Sequence, residues 1–214
     1  MKTFTPKSND YFGDFYTQTT NYFGDSPSDG LVAAIKKYNI PPGRVLDIGA
    51  GEGRNAIYLL KNNFDVDALE PSISGVNKIK ERATAINKKI HIFHQDYLSF
   101  TNKTTYDFIL AATSIDHIES KYIPQVFKKL KDSLNPGAFV YIVVFTQEDP
   151  GYIKDTTPSS ECAPYVKHYF KKNELLNYFK GYDILFYDEY QKEDRTHGPP
   201  HFHGKAKLIA KKIQ

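Results

Sequence analysis

Tryptophan is absent from this 214-residue chain, and cysteine and methionine occur once each. The lone Cys162 excludes an intramolecular disulfide framework and any metal centre built on several thiolates. No run of about 18 apolar residues occurs, so no stretch could cross a bilayer as a helix. The opening MKTFTPKSNDYFGDF lacks the apolar core of a secretory leader. Charge of one sign is also scarce: 28 Lys and Arg against 25 Asp and Glu leave a formal +3, with the basic residues interspersed among acids. Such a balance gives no purchase on a nucleic-acid backbone. These absences predict a soluble protein of the reducing cytoplasm, with neither a membrane nor a nucleic acid as partner.

What is present is ordinary for a globular chain, with 40% hydrophobic and 25% charged residues. The length suits one domain spanning 1–214, with a leading segment over 1–38, a ligand-binding core over 39–145 and a substrate loop with closing strands over 146–214. Aromatic residues reach 14% and are dense near the start, at Tyr11, Phe12, Phe15, Tyr16, Tyr22 and Phe23. Tyr11-Phe12-Gly13-Asp14 recurs as Tyr22-Phe23-Gly24-Asp25, a repeat too short to signal a solenoid.

The informative stretch is VLDIGAGEGRNA, Val45 to Ala56. Val45, Leu46 and Ile48 suit a buried strand, and Gly49, Gly51 and Gly53 suit a tight turn into a helix that starts near Gly53. Glycine lets the backbone approach a ligand closely, because no Cβ clashes and positive φ costs little. Asp47 ends the strand where open α/β sheets bind ligands. The spacing is G-x-G-x-G, with Arg54 where the third glycine of a dinucleotide fingerprint would fall, and no Gly-Lys-Ser/Thr follows. NAD and ATP are both disfavoured. A second strand, Val66 to Leu69, ends in Glu70, about twenty residues beyond the glycines, where an acid accepts hydrogen bonds from ribose hydroxyls. The competing reading makes Glu70 a solvated strand-end charge.

The rest of the chain alternates. Ser28-Asp29 reads as the cap of a helix through Ile35, stopped by Asn39 and Pro41-Pro42. Helices are expected over 55–61, 73–87 and 123–134, and strands over 90–94, 106–112 and 138–145. Asn135-Pro136-Gly137 acts as the stop after the third helix. The fourth strand is apolar after Asp107, as a central parallel strand should be. The alternation predicts a doubly wound, mostly parallel sheet. Residues 146–168 read as a long surface loop. A short helix over 171–179 and two strands, 182–190 and 201–211, complete the chain.

Asp47-x-Gly49-x-Gly51-x-Gly53, then Glu70, then Asp96-Tyr97 after the third strand, resembles the class I methyltransferases that use S-adenosyl-L-methionine. GEGRNAIYLLKNNFDVDALE more narrowly resembles the tellurite-resistance type of that superfamily. The resemblance implies a Rossmann-like, seven-stranded sheet whose last two strands form an antiparallel pair. It also implies that Asp47, Gly49, Gly51 and Arg54 surround the methionine part of the cofactor, that Glu70 holds the ribose, and that Asp96 with Tyr97 meets the adenine. Asp96 has a second reading as a turn-forming aspartate. In methyltransferases of this resemblance the leading segment often folds over the cofactor and supplies a tyrosine; the competing reading has its aromatic side chains dock the segment on the core.

Thr113, Ser114, Asp116 and His117 stand at the carboxyl end of the fourth strand. Thr113 is assigned to the cofactor, and Asp116 or His117 is a candidate general base for a hydroxyl or amine acceptor. Asp116 has the alternative role of a helix cap and His117 that of a solvated histidine. Arg195-Thr196 resembles the His-Arg-Thr of the tellurite-resistance group, where the arginine faces an anionic substrate. Here Asp194 replaces the histidine, and it would compete with an oxyanion for Arg195. His197, His201 and His203 could converge on a divalent metal, yet the resemblance implies none and no metal is expected. The sequence is thus read as a methyltransferase acting on a small-molecule acceptor, with chalcogen oxyanions and other soft nucleophiles among the candidates. The alternatives are a non-catalytic cofactor or metal binder on the same fold and a methyltransferase of a macromolecule.

Overall fold

The computed structural model describes residues 10–18, 20–28, 30–101, 103–153 and 160–213. Asp29 of the expected helix cap, residues 1–9 and residues 154–159 of the expected loop lie outside the described residues, as does the side chain of Tyr11. Five parallel strands come first in the chain: β1 (Arg44–Ile48), β2 (Asp65–Leu69), β3 (His91–Phe93), β4 (Tyr106–Ala112) and β5 (Leu134–Phe145). β6 (Asp183–Asp194) and β7 (His201–Lys211) follow, β7 lying antiparallel to both β5 and β6. The order across the sheet is β3-β2-β1-β4-β5-β7-β6. This is the expected Rossmann-like seven-stranded sheet with an antiparallel closing pair. The chain moves outward from β1 to β3 and returns to β4, so the strand order reverses between β1 and β4, the place where such sheets open a crevice at the carboxyl ends.

Helices α1 (Tyr11–Gln18), α2 (Leu31–Lys37), α3 (Arg54–Lys61), α4 (Ile73–Ala85), α5 (Ile123–Asp132), α6 (Pro150–Ile153) and α7 (Glu174–Tyr178) surround the sheet. Alternation along β4 shows why the sheet needs cover on both sides. Phe108 and Leu110 join Val45, Leu59, Val66 and Ile79 on one face, whereas Ile109 and Ala111 join Leu46, Phe127, Phe170 and Phe179 on the other. At the amino ends of the strands, Asp67 of β2 is fully buried and receives Arg44 of β1 at 3.0 Å, the Tyr106 hydroxyl of β4 at 2.9 Å and His91 of β3 at 3.1 Å. Among the described residues, no helix is long and apolar enough to cross a membrane.

Several boundaries differ from the sequence reading: β6 runs four residues past the expected end, to Asp194, and α7 is shorter than the expected 171–179. β5 starts at Leu134, because Asn135-Pro136-Gly137 is absorbed as a bulge: Tyr106 pairs with Leu134 and regular pairing resumes at Phe108 with Phe139. Asn135 donates to Asp107 at 2.8 Å within that bulge. Helix α2 is entered through Gly30, in the left-handed conformation at φ 86°, without a side-chain cap. The expected loop over 146–168 contains α6 and a helical turn at Ala163–Tyr165, and a bridge between Thr146 and Phe170 ties its ends.

Candidate active site

The crevice at the β1–β4 switch opens into a cavity of about 520 Å³. Its floor is the glycine turn. Gly49 and Gly51 adopt φ of 67° and 58°, a conformation costly for residues with a side chain. A Cβ on Gly49 would stand 2.4 Å from the Ser114 Cβ, and one on Gly51 would stand 3.1 Å from the Tyr16 hydroxyl. The turn is held from the next strand. Glu70 is buried, and its two carboxylate oxygens accept from the Gly51 amide at 2.7 Å and the Ser72 amide at 2.9 Å. Burial pushes the Glu70 carboxyl up to about 7, against the pull of those two amides.

Asp47 lies beneath the turn, outside the residues that line the cavity. It is 1% exposed, and burial raises its carboxyl to about 7, opposed by the Arg54 charge and the Ala56 amide at the start of α3. Its Oδ2 has no hydrogen-bond partner among the described residues. Arg54 does line the cavity and donates to the Phe23 carbonyl at 3.0 Å. The aromatic leading segment forms the roof through Phe12, Tyr16 and Phe23. Burial, then the charges of Glu70 and Glu52, raise the Tyr16 phenol well above its ordinary value. Glu52, unremarked in the sequence, is buried against Lys78 at 2.5 Å and accepts from the Phe23 amide at 3.2 Å, which fastens the roof to the turn.

The far end is built from β4, β5 and β7. Thr113, at φ 51°, and Ser114 line the cavity beside His117. The His117 Nδ1 lies 3.0 Å from the Tyr165 carbonyl, its ring meets Phe12 edge-on at 4.7 Å, and burial lowers its pKa. Phe145, Ser160, Cys162, Lys167, His197, His203 and Lys205 complete this end. Lys205, His203 and His201 alternate on β7, so a two-residue period extended from the histidines would have found the lysine. Burial lowers the Lys205 pKa, partly offset by Asp194, whose Oδ2 is 3.8 Å away.

Besides Asp47, four expected site residues stand outside the cavity lining. Asp96 is exposed and spends its carboxylate on the Leu98 and Ser99 amides, at 2.8 and 3.0 Å, and on the Ser99 hydroxyl at 2.6 Å. This is the turn-forming role. Tyr97 is buried in the core on the α5 side, with the Lys129 ammonium 4.8 Å from its ring. Asp116 is fully buried behind the cavity wall, accepting from the Phe145 amide at 2.6 Å, and burial lifts its carboxyl to about 8. Arg195 lines a smaller depression outside the main cavity, where Glu193, two residues back, takes its guanidinium at 2.9 and 3.1 Å.

A family model described as Tellurite resistance protein TehB matches residues 4–197. The probable S-adenosyl-L-methionine-dependent methyltransferase TehB of Haemophilus influenzae strain Rd is 31% identical over 186 residues, covering 86% of this chain. This chain spans only 58% of that relative's length. The crystal structure of TehB from Haemophilus influenzae superposes with a TM-score of 0.73 at 27% identity, over 95% of this chain and 66% of that one. A S-adenosylmethionine-dependent methyltransferase from Clostridium acetobutylicum shares the fold at 15% identity, with a TM-score of 0.67 over 95% of this chain and 98% of its own. By its sequence match and its sheet, this chain belongs to the TehB family.

Proposed function

We propose that this protein transfers a methyl group from S-adenosyl-L-methionine to a small anionic or soft acceptor, a chalcogen oxyanion or a thiolate. One observation carries the reading: a glycine turn, tied by its own amide to buried Glu70 and roofed by Tyr16, forms the floor of a cavity whose far end carries histidines and Lys205. The fit to the cofactor rests on that floor, which a Cβ at Gly49 or Gly51 would fill. Family membership, and the name of the Haemophilus relative, support the same reaction.

S-adenosyl-L-methionine supplies a methyl on a cationic sulfur, which leaves as a neutral thioether. Gly49, Gly51 and Arg54 hold the amino-acid part and Glu70 the ribose, with Asp47 setting the turn from below and Thr113 closing the side. Phe12, Tyr16 and Phe23 exclude water above the reacting atoms, and in-line displacement then depends mainly on orientation. Lys205 provides positive charge for an anionic acceptor. His117 is placed to take a proton from an acceptor that carries one, and a soft anion needs no base. The placements of Asp96, Tyr97, Asp116 and Arg195 support roles in the scaffold.

We also read the chain as one methyltransferase domain, a reading supported by the single sheet that takes up all seven strands. The buried free thiol of Cys162 fits a reducing cytoplasm. Titration calorimetry with S-adenosylhomocysteine, followed by release of that product from S-adenosylmethionine with tellurite, selenite or a thiol as acceptor, tests the function. Binding together with acceptor-dependent release is the expected result. Binding without release for any acceptor would reduce the protein to a cofactor binder.

A further inference from the structure

His197 stands in the connection between β6 and β7, and His201 and His203 open β7. Each offers a ring nitrogen within 4.8 Å of those of the other two. All three are buried, at 8%, 3% and 3% exposure. Their hydrogen bonds fix two of the tautomers. His201 Nδ1 lies 2.8 Å from the Pro199 carbonyl, which can only accept, so this nitrogen carries the proton. His203 Nδ1 lies 2.9 Å from Asp149 Oδ2, and the Asp149 carboxylate already accepts the Gly204 amide at 3.1 Å and the Gly151 amide at 2.8 Å. That nitrogen also donates.

With both rings neutral, both Nε2 atoms are therefore bare lone pairs, and they face each other at 3.0 Å. Two lone pairs at that distance repel unless a shared proton or a metal ion accepts both, and a third converging imidazole is what a metal ion would use and a proton would not. The buried His197 Nδ1 adds a third nitrogen with no hydrogen-bond partner among the described residues.

We propose that His197, His201 and His203 bind a divalent transition-metal ion of the zinc type, with an open coordination position facing the cavity. Tetrahedral ligands at about 2.0–2.1 Å from zinc stand about 3.4 Å apart, a spacing that lies between the 3.0 Å contact and the 4.8 Å limit of the cluster. The outer partners are those that metal-bound imidazoles commonly have: a carboxylate, Asp149, on one ring and a backbone carbonyl, Pro199, on another. Three neutral imidazoles with a vacant position form the donor set of a site that binds an exchangeable ligand. Asp149 and Asp194 supply countercharge. His197 and His203 line the same cavity as the glycine turn, so the vacant position meets the acceptor end, where it would take a thiolate or oxyanion. This last step rests on the methyl-transfer reading; the metal site does not.

The test uses the full chain, stripped with a chelator and titrated with zinc chloride by calorimetry and with cobalt(II) by visible absorption, no nucleoside being present. One equivalent of metal, with the intense d–d bands of a low-symmetry four-coordinate cobalt, is the expected result. H201Q combined with H203Q should abolish the site, whereas His94→Gln at an exposed position should leave it intact. Asp149→Asn, which keeps an acceptor for the backbone, should weaken binding about 10- to 100-fold. Thermal melts and S-adenosylhomocysteine binding of each metal-free variant report folding. Failure of the wild-type chain to take stoichiometric metal overturns the proposal, whatever the variants do, as does equal affinity in the folded double variant. A chain that binds metal but no nucleoside would keep this site and lose the methyl-transfer reading.

Discussion

Glu70 accepts from the amides of the glycine turn and, in the proposed function, also holds the ribose, so its substitution should separate from an ordinary surface change. Glu70→Ala is expected to weaken S-adenosylhomocysteine binding by about 1–3 kcal/mol, the cost of leaving polar groups without their charged partner. Calorimetry on the variant checks this, and unchanged affinity would remove Glu70 from the site. Glu70 and the glycines were legible in the sequence because their signal is short-range and geometric: a strand end, a turn, a second strand end. Asp96 and Arg195 misled for an equally local reason. A Ser three residues after Asp96 and a Glu two residues before Arg195 satisfy these groups within their own loops. Glu52 had no such flag, because its importance comes from burial against distant elements, and Lys205 had only the two-residue period of the histidines to mark it.

Among the elements, the central strands were the most readable, since burial on both faces leaves an almost uninterrupted apolar run. β5 was read four residues short because Asn-Pro-Gly resembles a terminator, whereas a bulge lets the same residues stay in the ladder. One carboxylate ties four of these strands together. Asp67→Ala should destabilise the fold by about 3–5 kcal/mol, towards the lower end because Arg44 remains partly in water. Urea unfolding followed by circular dichroism measures it. The roof segment makes a different prediction. Residues 11–18 and 20–28 contact the body mainly through aromatic rings and a few charged groups such as Glu52, Lys78 and Arg82. S-adenosylhomocysteine should slow amide hydrogen exchange there more than in β1 or β4; equal protection throughout would deny the segment a closing role.

At the scale of the whole molecule, burial of acids sets a pH dependence of stability. Asp47 and Glu70 are raised to about 7 and Asp116 to about 8, whereas carboxyls of the unfolded chain ionise near 4. Between those limits the folded chain keeps protons that the unfolded chain releases, so these groups make stability fall as pH rises from about 4 to about 8. Their contribution is complete below that window and gone above it. Asp116→Asn should flatten the decline, as read from urea midpoints between pH 5 and 8. A slope identical to that of the wild-type chain would show that Asp116 ionises in the fold like an ordinary carboxylate.

β7 comes after β6 in the chain but sits between β6 and β5. β6 therefore has no neighbour to join until its successor arrives, and the outer third of the sheet is hung from one late strand. An injury to that strand is felt twice: β6 is orphaned with it, and the histidine-bearing end of the crevice disappears while the glycine-bearing end still has all its own supports. Damage there should leave a chain that can hold a nucleoside and has nowhere to put its second reactant.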